Sequence, residues 1–578
     1  MPRLNAFACF AILSGAAAQA VGQTMGPSTG QSPYVVPLGY AFDQGVRTVS
    51  IATNGPGTGG VNADLFTRLN TGSLDYRLVG IPDGMGAFRT QQDVTDGTFQ
   101  LLVNHELGAT SGVQRDHGNR GAFVSQWTIR ATGQTFQVVG AKDLIQEANL
   151  WNIAAGTWNA FNATNPMPRY AQVNPTANQN AAFGVQGWDT NNPNRDGFGR
   201  FCSADLPAVS AFSHGGLGTT ERIFMNGEEI GDPGRAFGHI VTGPNAGKSY
   251  ELPRLGDFSW ENSVASPFPQ AKTVVVGTDD SSPGQVYVYI GNKTSTGNEI
   301  ERAGLNNGSL YAMKVTNLPA VPSIESRDFG LATAGPGVTR TSGFTLHAIG
   351  DPTGIDGDTL DNNDRAAGVT DFLRPEDGVW DSRPGRQNDF YFVTTDRFNS
   401  SATTGGQVGR SRLYRMRFND VTDPTLGGQL DMLMDGSEGQ QMFDNMTLDP
   451  AGRILLQEDP GNTQYTARIW MYDTTTEAFG PIAEFDRARF GGIFPFTNAV
   501  APFNQDEESS GIIDAFDILG PGWYLANAQA HYSIGGELVE GGQLFAMFVP
   551  TSGFTPIPEP ATLGLLTSLL AAQLRRRR

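Results

Sequence analysis

Cysteine is nearly absent: the 578-residue chain has two, Cys9 and Cys202. Cys9 lies in a short apolar N-terminal stretch that reads as a leader, which leaves Cys202 alone and excludes an intramolecular disulfide. A lone thiol is then either a buried small hydrophobe or a working sulfur. Histidine is also scarce, with six residues and no zinc-motif spacing. His105 and His214 are candidate ligands, although core or surface roles are the commoner use. Lys and Arg number 39 against 58 Asp and Glu, a net charge of −19. That deficit repels phosphate backbones and anionic lipid, so nucleic acid is excluded as a natural partner. Clustered carboxylates attract hard cations such as Ca²⁺, while the same acidity would also serve solubility. Long amphipathic helical patterns are missing.

The two ends carry what look like address labels. "MPRLNAFACFAILSGAAAQA", residues 1–20, has Arg3, a short apolar stretch and a small-residue ending, as in a secretory signal peptide. Residues 556–578, "PIPEPATLGLLTSLLAAQLRRRR", join Pro558-Glu559-Pro560 to an apolar segment and four arginines. The apolar part is shorter than the ~20 residues of a comfortable membrane span. Arg575 to Arg578 would hold that end on the cytoplasmic side. This tail resembles the PEP-CTERM sorting signal of Gram-negative bacteria. The resemblance implies transient inner-membrane anchoring, cleavage by an exosortase-type protease, and a mature protein at the cell surface or outside the cell.

Between the ends, short β-branched and aromatic runs alternate with Gly, Asn, Asp and Pro: "TFQLLVN", "TVVVGT", "QVYVYIG", "DFYFVTTD", "RILLQ", "ARIWMYD". This is an all-β pattern. The runs group into a loose repeat of strand, carboxylates, Gly-containing loop and partner strand. A β-propeller of about six blades with long insertions, over residues 35–550, accommodates such units and leaves few exposed edges. A β-sandwich or a right-handed β-helix is the alternative. The stretch from about Leu144 to Arg200 has no strong pattern and reads as an elaborated surface loop.

The carboxylates follow apolar strands: Glu106 in "NHE", Glu228 and Glu229 in "GEE", Glu261 in "WEN", Asp279 and Asp280 in "TDD". Glu376 in "RPED", Asp396 in "TTDR", Asp444 and Asn445 in "FDN", and Glu458 and Asp459 in "QED" continue the series. In a propeller the same strand end of every blade faces one mouth, where converging negative charge requires cations. Solvated surface turns would not require them.

The order "NHE", a lone Cys followed by "GT…GEE", an Asp pair, "GSLYAMKV", "RPED" and "DNMTLDPAGRILLQED" resembles the PhoX-like phosphatases, from about Leu101 to Asp459. That resemblance implies an exported β-propeller enzyme that hydrolyses phosphoesters with Ca²⁺ and Fe³⁺ in its mouth. It implies that Cys202 bridges metals, that Glu106, Glu261 and Glu376 are metal ligands, and that Glu228, Glu229 and Glu458 or Asp459 hold calcium. Arg374 resembles the arginine that contacts phosphate, a role suited to a guanidinium fork. Asp279, Asp280 and Asp444 complete the expected metal set. Two positions depart from the family: Pro-Trp-Gly-Thr survives only as Gly218-Thr219, and Trp260 stands where the family has His. A non-catalytic, calcium-stabilised propeller that binds extracellular matrix or exopolysaccharide is the rival reading. A metal hydrolase for another ester or lactone is a third.

Overall fold

The computed structural model describes residues 23–55, 64–167, 197–325, 340–395, 411–436, 438–461, 463, 465–493 and 496–557, and the short pairs Arg169–Tyr170 and Trp188–Asp189. The expected signal peptide, the tail beyond Ile557, and Asp396 lie outside the described residues.

Six inner strands organise the molecule: β1 (Pro82–Phe88), β2 (Phe201–Asp205), β3 (Trp260–Ala265), β4 (Pro375–Trp380), β5 (Phe443–Leu448) and β6 (Glu507–Asp514). Each packs on the next, and β6 returns to β1, so the ring is closed. From each inner strand an antiparallel meander runs outward; from β1 it passes through Thr98–His105, Phe123–Thr132 and Thr135–Asp143. The units of β3 and β4 merge into one nine-stranded sheet, because Thr341–Gly350 pairs with the outer strands of both. The sixth unit joins chain ends: Trp523–Gly535 and Val539–Phe548 pair onward to Arg47–Asn54, with Gln23–Met25 parallel at the edge. Closure in this way leaves few free edges. The architecture is the expected β-propeller.

Among the described residues there is no single core. Six apolar layers fill the gaps between neighbouring units, including Leu102, Val124, Phe201 and Phe237 between the first two, and Trp127, Leu101 and Leu525 between the sixth and first. Strands buried on both faces explain the near-continuous apolar runs of the sequence.

One expectation is corrected. Within the supposed surface loop, Glu147–Asn152 and Thr157–Asn162 form a hairpin, and the first strand pairs in parallel with Lys248–Glu251. The second unit therefore reaches six strands. Trp151 and Trp158 meet edge to face across the hairpin at 4.8 Å. A strand held at a sheet edge by cross-strand pairs needs little hydrophobic periodicity, so the sequence pattern was weak.

Candidate metal centre

The second residue of every inner strand is ionisable and buried or nearly so: Asp83, Cys202, Glu261, Glu376, Asp444 and Glu508. The backbone explains the convergence. In β1 to β5 the register with the neighbouring strand slips by one residue directly after the first position, between Pro82 and Met85 in β1 and at the equivalent place in the others. Such a bulge bends the strand and re-aims its side chains. The residue before the strand is left-handed in four units: Ile81 (φ 51°), Arg200 (φ 23°), Arg374 (φ 54°) and Met442 (φ 48°). Non-glycine residues rarely adopt that conformation, and where they do they cluster at functional sites.

A second layer lies above this ring. The first residue of each inner strand pairs with the last residue of the adjacent strand, at His105, Glu228, Asp279, Thr394 and Glu458, or in the sixth unit with Ala530 inside Trp523–Gly535. The following residues are Glu106, Glu229, Asp280, Thr395, Asp459 and His531. Their backbone N–H groups donate to the carbonyls of Ile81, Arg200, Ser259, Arg374, Met442 and Asp506 at 2.8 to 3.3 Å. All six units thus repeat one connection, which stacks two rings of side chains over one axis.

The rings are tightly linked. Cys202 Sγ donates to Asp83 Oδ2 at 3.3 Å. Ser203 donates to Glu261, and Asn445 Nδ2 reaches Ser203 Oγ at 2.6 Å and Asp83 Oδ1 at 3.2 Å. Three overlapping triads place their ligand atoms within 4.8 Å of one another: Asp83–Glu106–Cys202, Cys202–Glu229–Glu261 and Glu261–Glu376–Asp444. Two arginines and a histidine bring positive charge. Arg374 reaches Asp280 (2.6 and 3.0 Å) and Glu376 (3.2 Å). Arg200 holds Glu106 (2.8 Å from Nε) and Glu229 (2.7 Å). His531 bonds Glu540 at 2.7 Å and stands 3.7 Å from Glu508.

Burial dominates the electrostatics. It pushes Glu261 up to about 8 and Glu508 up to about 7. It also drives Asp83, Cys202, Glu229, Glu376 and Asp444 far above their usual ranges. The next cause for Asp83, Cys202, Glu376 and Asp444 is a neighbouring carboxylate, which resists a further negative charge. Asp280 differs: burial raises it, but the Arg374 guanidinium prevails and holds it below the ordinary carboxylate value. Burial would lower His531, yet Glu508 and Glu540 hold it well above the imidazole norm.

The donor set suits metal. Glu261 Oε2, Glu376 Oε2 and Asp444 Oδ1 are buried without a hydrogen-bond partner, a costly state for an acceptor that cations relieve. Oxygen donors favour hard cations, and the Cys202 sulfur adds affinity for a transition metal.

The structure divides the expected residues. Glu106, Cys202, Glu229, Glu261, Asp280, Glu376, Asp444 and Asp459 occupy the two rings, and Arg374 stands at their rim. Glu228, Asp279 and Glu458 are turned into the units instead, because neighbours on a strand point to opposite faces. Glu228 is clasped by Arg235 at 2.7 and 2.9 Å. Asp279 accepts from Ser281 Oγ (2.8 Å), and Glu458 accepts from Trp470 Nε1 (2.8 Å) and the Gln441 N–H (2.6 Å). His105 is buried against Ser125 and Phe123, and His214 sits on an exposed two-residue strand. Sequence reasoning missed Asp83, Glu508, Arg200 and His531. For Asp83 and Glu508 the signal was positional: "PDG", "FCS", "WEN", "PED", "FDN" and "EES" each put an ionisable residue second in an inner strand.

The family model for alkaline phosphatase PhoX matches residues 75–489. Among solved structures, Pseudomonas fluorescens PhoX in complex with vanadate, a transition state analogue, is similar at 12% identity with a TM-score of 0.57. That alignment covers 87% of this chain and 95% of that one, and establishes a shared fold. A GH43_1 enzyme from Xanthomonas citri (9% identity, TM-score 0.27, 58% of this chain and 87% of that one) superposes too loosely to inform it. No curated protein matches the chain. With the match spanning most of its length, the chain belongs to the alkaline phosphatase PhoX family.

Proposed function

We propose that this protein is an exported phosphoester hydrolase whose centre, at the mouth of the ring, holds calcium with ferric iron. The observation that carries the reading is the overlap of three donor triads through Cys202 and Glu261. Asp83, Glu106, Cys202, Glu229, Glu261, Glu376, Asp444 and Glu508 are the residues that would hold the ions. Bound cations would offset phosphate charge and make an oxygen nucleophile available at lower pH.

The chain's own residues do the rest. Cys202 Sγ donates to Asp83 Oδ2, and as a metal ligand the sulfur would be a thiolate, its proton passing to solvent. Arg374, which pairs with Asp280 and Glu376, would present its fork to phosphate oxygens in two-pronged fashion where Glu376 is engaged by a cation. Ser203, Asn445 and Gln529 orient the carboxylates; Gln529 Nε2 stands 3.3 to 3.4 Å from Asp83, Glu106 and Glu508. Export and surface sorting are supported by the two terminal segments; deleting residues 556–578 should change where the protein accumulates.

The test is elemental analysis of the purified protein together with hydrolysis of p-nitrophenyl phosphate and its diester after supply of Ca²⁺ and iron. Bound metal with turnover is expected. Calcium-dependent melting without turnover of either ester would favour the matrix-binding rival, and cleavage of carboxylate esters or lactones alone would favour the third reading.

A further inference from the structure

Arg200 and Arg374 hold equivalent places in alternate units. Each immediately precedes an inner strand, β2 or β4, and each has a left-handed backbone. Each stands two residues before a ring donor, Cys202 or Glu376. Each reaches back to the second-layer carboxylate of the preceding unit, Glu106 for Arg200 and Asp280 for Arg374. Between them Glu229, held by Arg200, stands beside Asp280, held by Arg374. The two forks therefore flank one stretch of the rim. The Arg200 side chain is the more open, 47% exposed against 18% for Arg374.

We propose that Arg200 is a second phosphate-contacting residue, forming with Arg374 a two-armed clamp over the metal centre. This rests on the hydrolase reading above. Without cations, both guanidinium groups are occupied by carboxylates. With Glu106 and Glu229 engaged as ligands, the Arg200 fork would be open to a phosphoryl group, which would meet two planar donors on one stretch of the rim. Arginine suits this place because its fork binds two oxygens at once, which a lysine cannot do.

The test compares R200Q, R200K and wild type, each loaded with calcium and iron and checked for metal content. Inhibition by inorganic phosphate and the separate KM and kcat for p-nitrophenyl phosphate are measured. R200Q should raise both the phosphate inhibition constant and KM tenfold or more, with kcat affected less and metal content unchanged. R200K should recover part of the loss. Unchanged phosphate inhibition and KM in R200Q would overturn the clamp while leaving the hydrolase intact, as would a loss that only tracks depleted metal. A metal-loaded wild type that cleaves no phosphoester would instead overturn the hydrolase reading and the clamp with it. Should R200Q fail to fold, phenylglyoxal labelling of the loaded wild type decides: phosphate should protect Arg200 severalfold, and absence of protection refutes the contact.

Discussion

The mouth of the ring and the seams between units use the same residue types to opposite ends. Glu376 and Asp377 are adjacent on β4 and both buried, yet their surroundings differ. Asp377 accepts from Asn262 Nδ2 (2.6 Å), the Gly378 N–H (2.6 Å) and the Met446 N–H (2.9 Å), and so ties three inner strands together. Glu376 has one oxygen near Arg374 and the other without a hydrogen-bond partner. Glu228 and Glu229 differ in direction: the first is clasped by Arg235 inside its unit, and the second meets Arg200 at the mouth. Acids satisfied inside the units tie strands together, whereas buried acceptors without a hydrogen-bond partner, as on Glu376, carry a cost that a bound cation would relieve.

Removing acids from each region separates these roles. Cys202→Ser and Glu376→Ala should each lower phosphoester hydrolysis by roughly 10³-fold or more, as expected for members of one catalytic unit. The melting temperature of the metal-free protein should not fall. A variant with full activity would refute the site assignment. Glu228→Ala should do the reverse, because it removes the buried carboxylate that clasps Arg235 at 2.7 and 2.9 Å. A loss of about 3–5 kcal/mol is expected in denaturant unfolding, with activity retained by the protein that remains folded.

The pH dependence tests the mouth alone. Glu261 is raised to about 8 in the folded, metal-free protein, whereas an unfolded Glu titrates near ~4.3. Between those values the folded state keeps a proton that the unfolded state loses, so stability falls as pH rises, by roughly 1.4 kcal/mol per unit for one such group. Melting of the chelated protein should decline from pH 5 to 8, and Ca²⁺ should flatten the slope. A slope unaffected by Ca²⁺ would place the ion elsewhere. The smallest effect belongs to Glu458→Gln, which still accepts from Trp470 and Gln441: about 1 kcal/mol of stability and little activity.

Much of the site was legible because strand-end acids recur at the same structural position. Glu106, Glu229, Asp280 and Asp459 follow long apolar runs that mark their strands plainly. Asp83 and Glu508 were not legible in the same way: "PDGMGAF" and "EESSGIID" contain glycine and serine in place of a β-branched run. Their strands are identified by packing around the axis, which depends on units far apart in the chain. Arg200 was hidden for another reason. Nothing local distinguishes it from any arginine beside a glycine, and only its equivalence to Arg374, two units further on, shows that it stands at the rim.

The chain by itself determined an all-β body, an acidic surface, a solitary thiol and paired acids at strand ends, since alternation and composition are local properties. Which member of each pair faces inward was decided only by tertiary structure. A single-residue bulge in five units and a left-handed residue at the strand entry in four set that direction, and the closed ring brings side chains from six distant segments together.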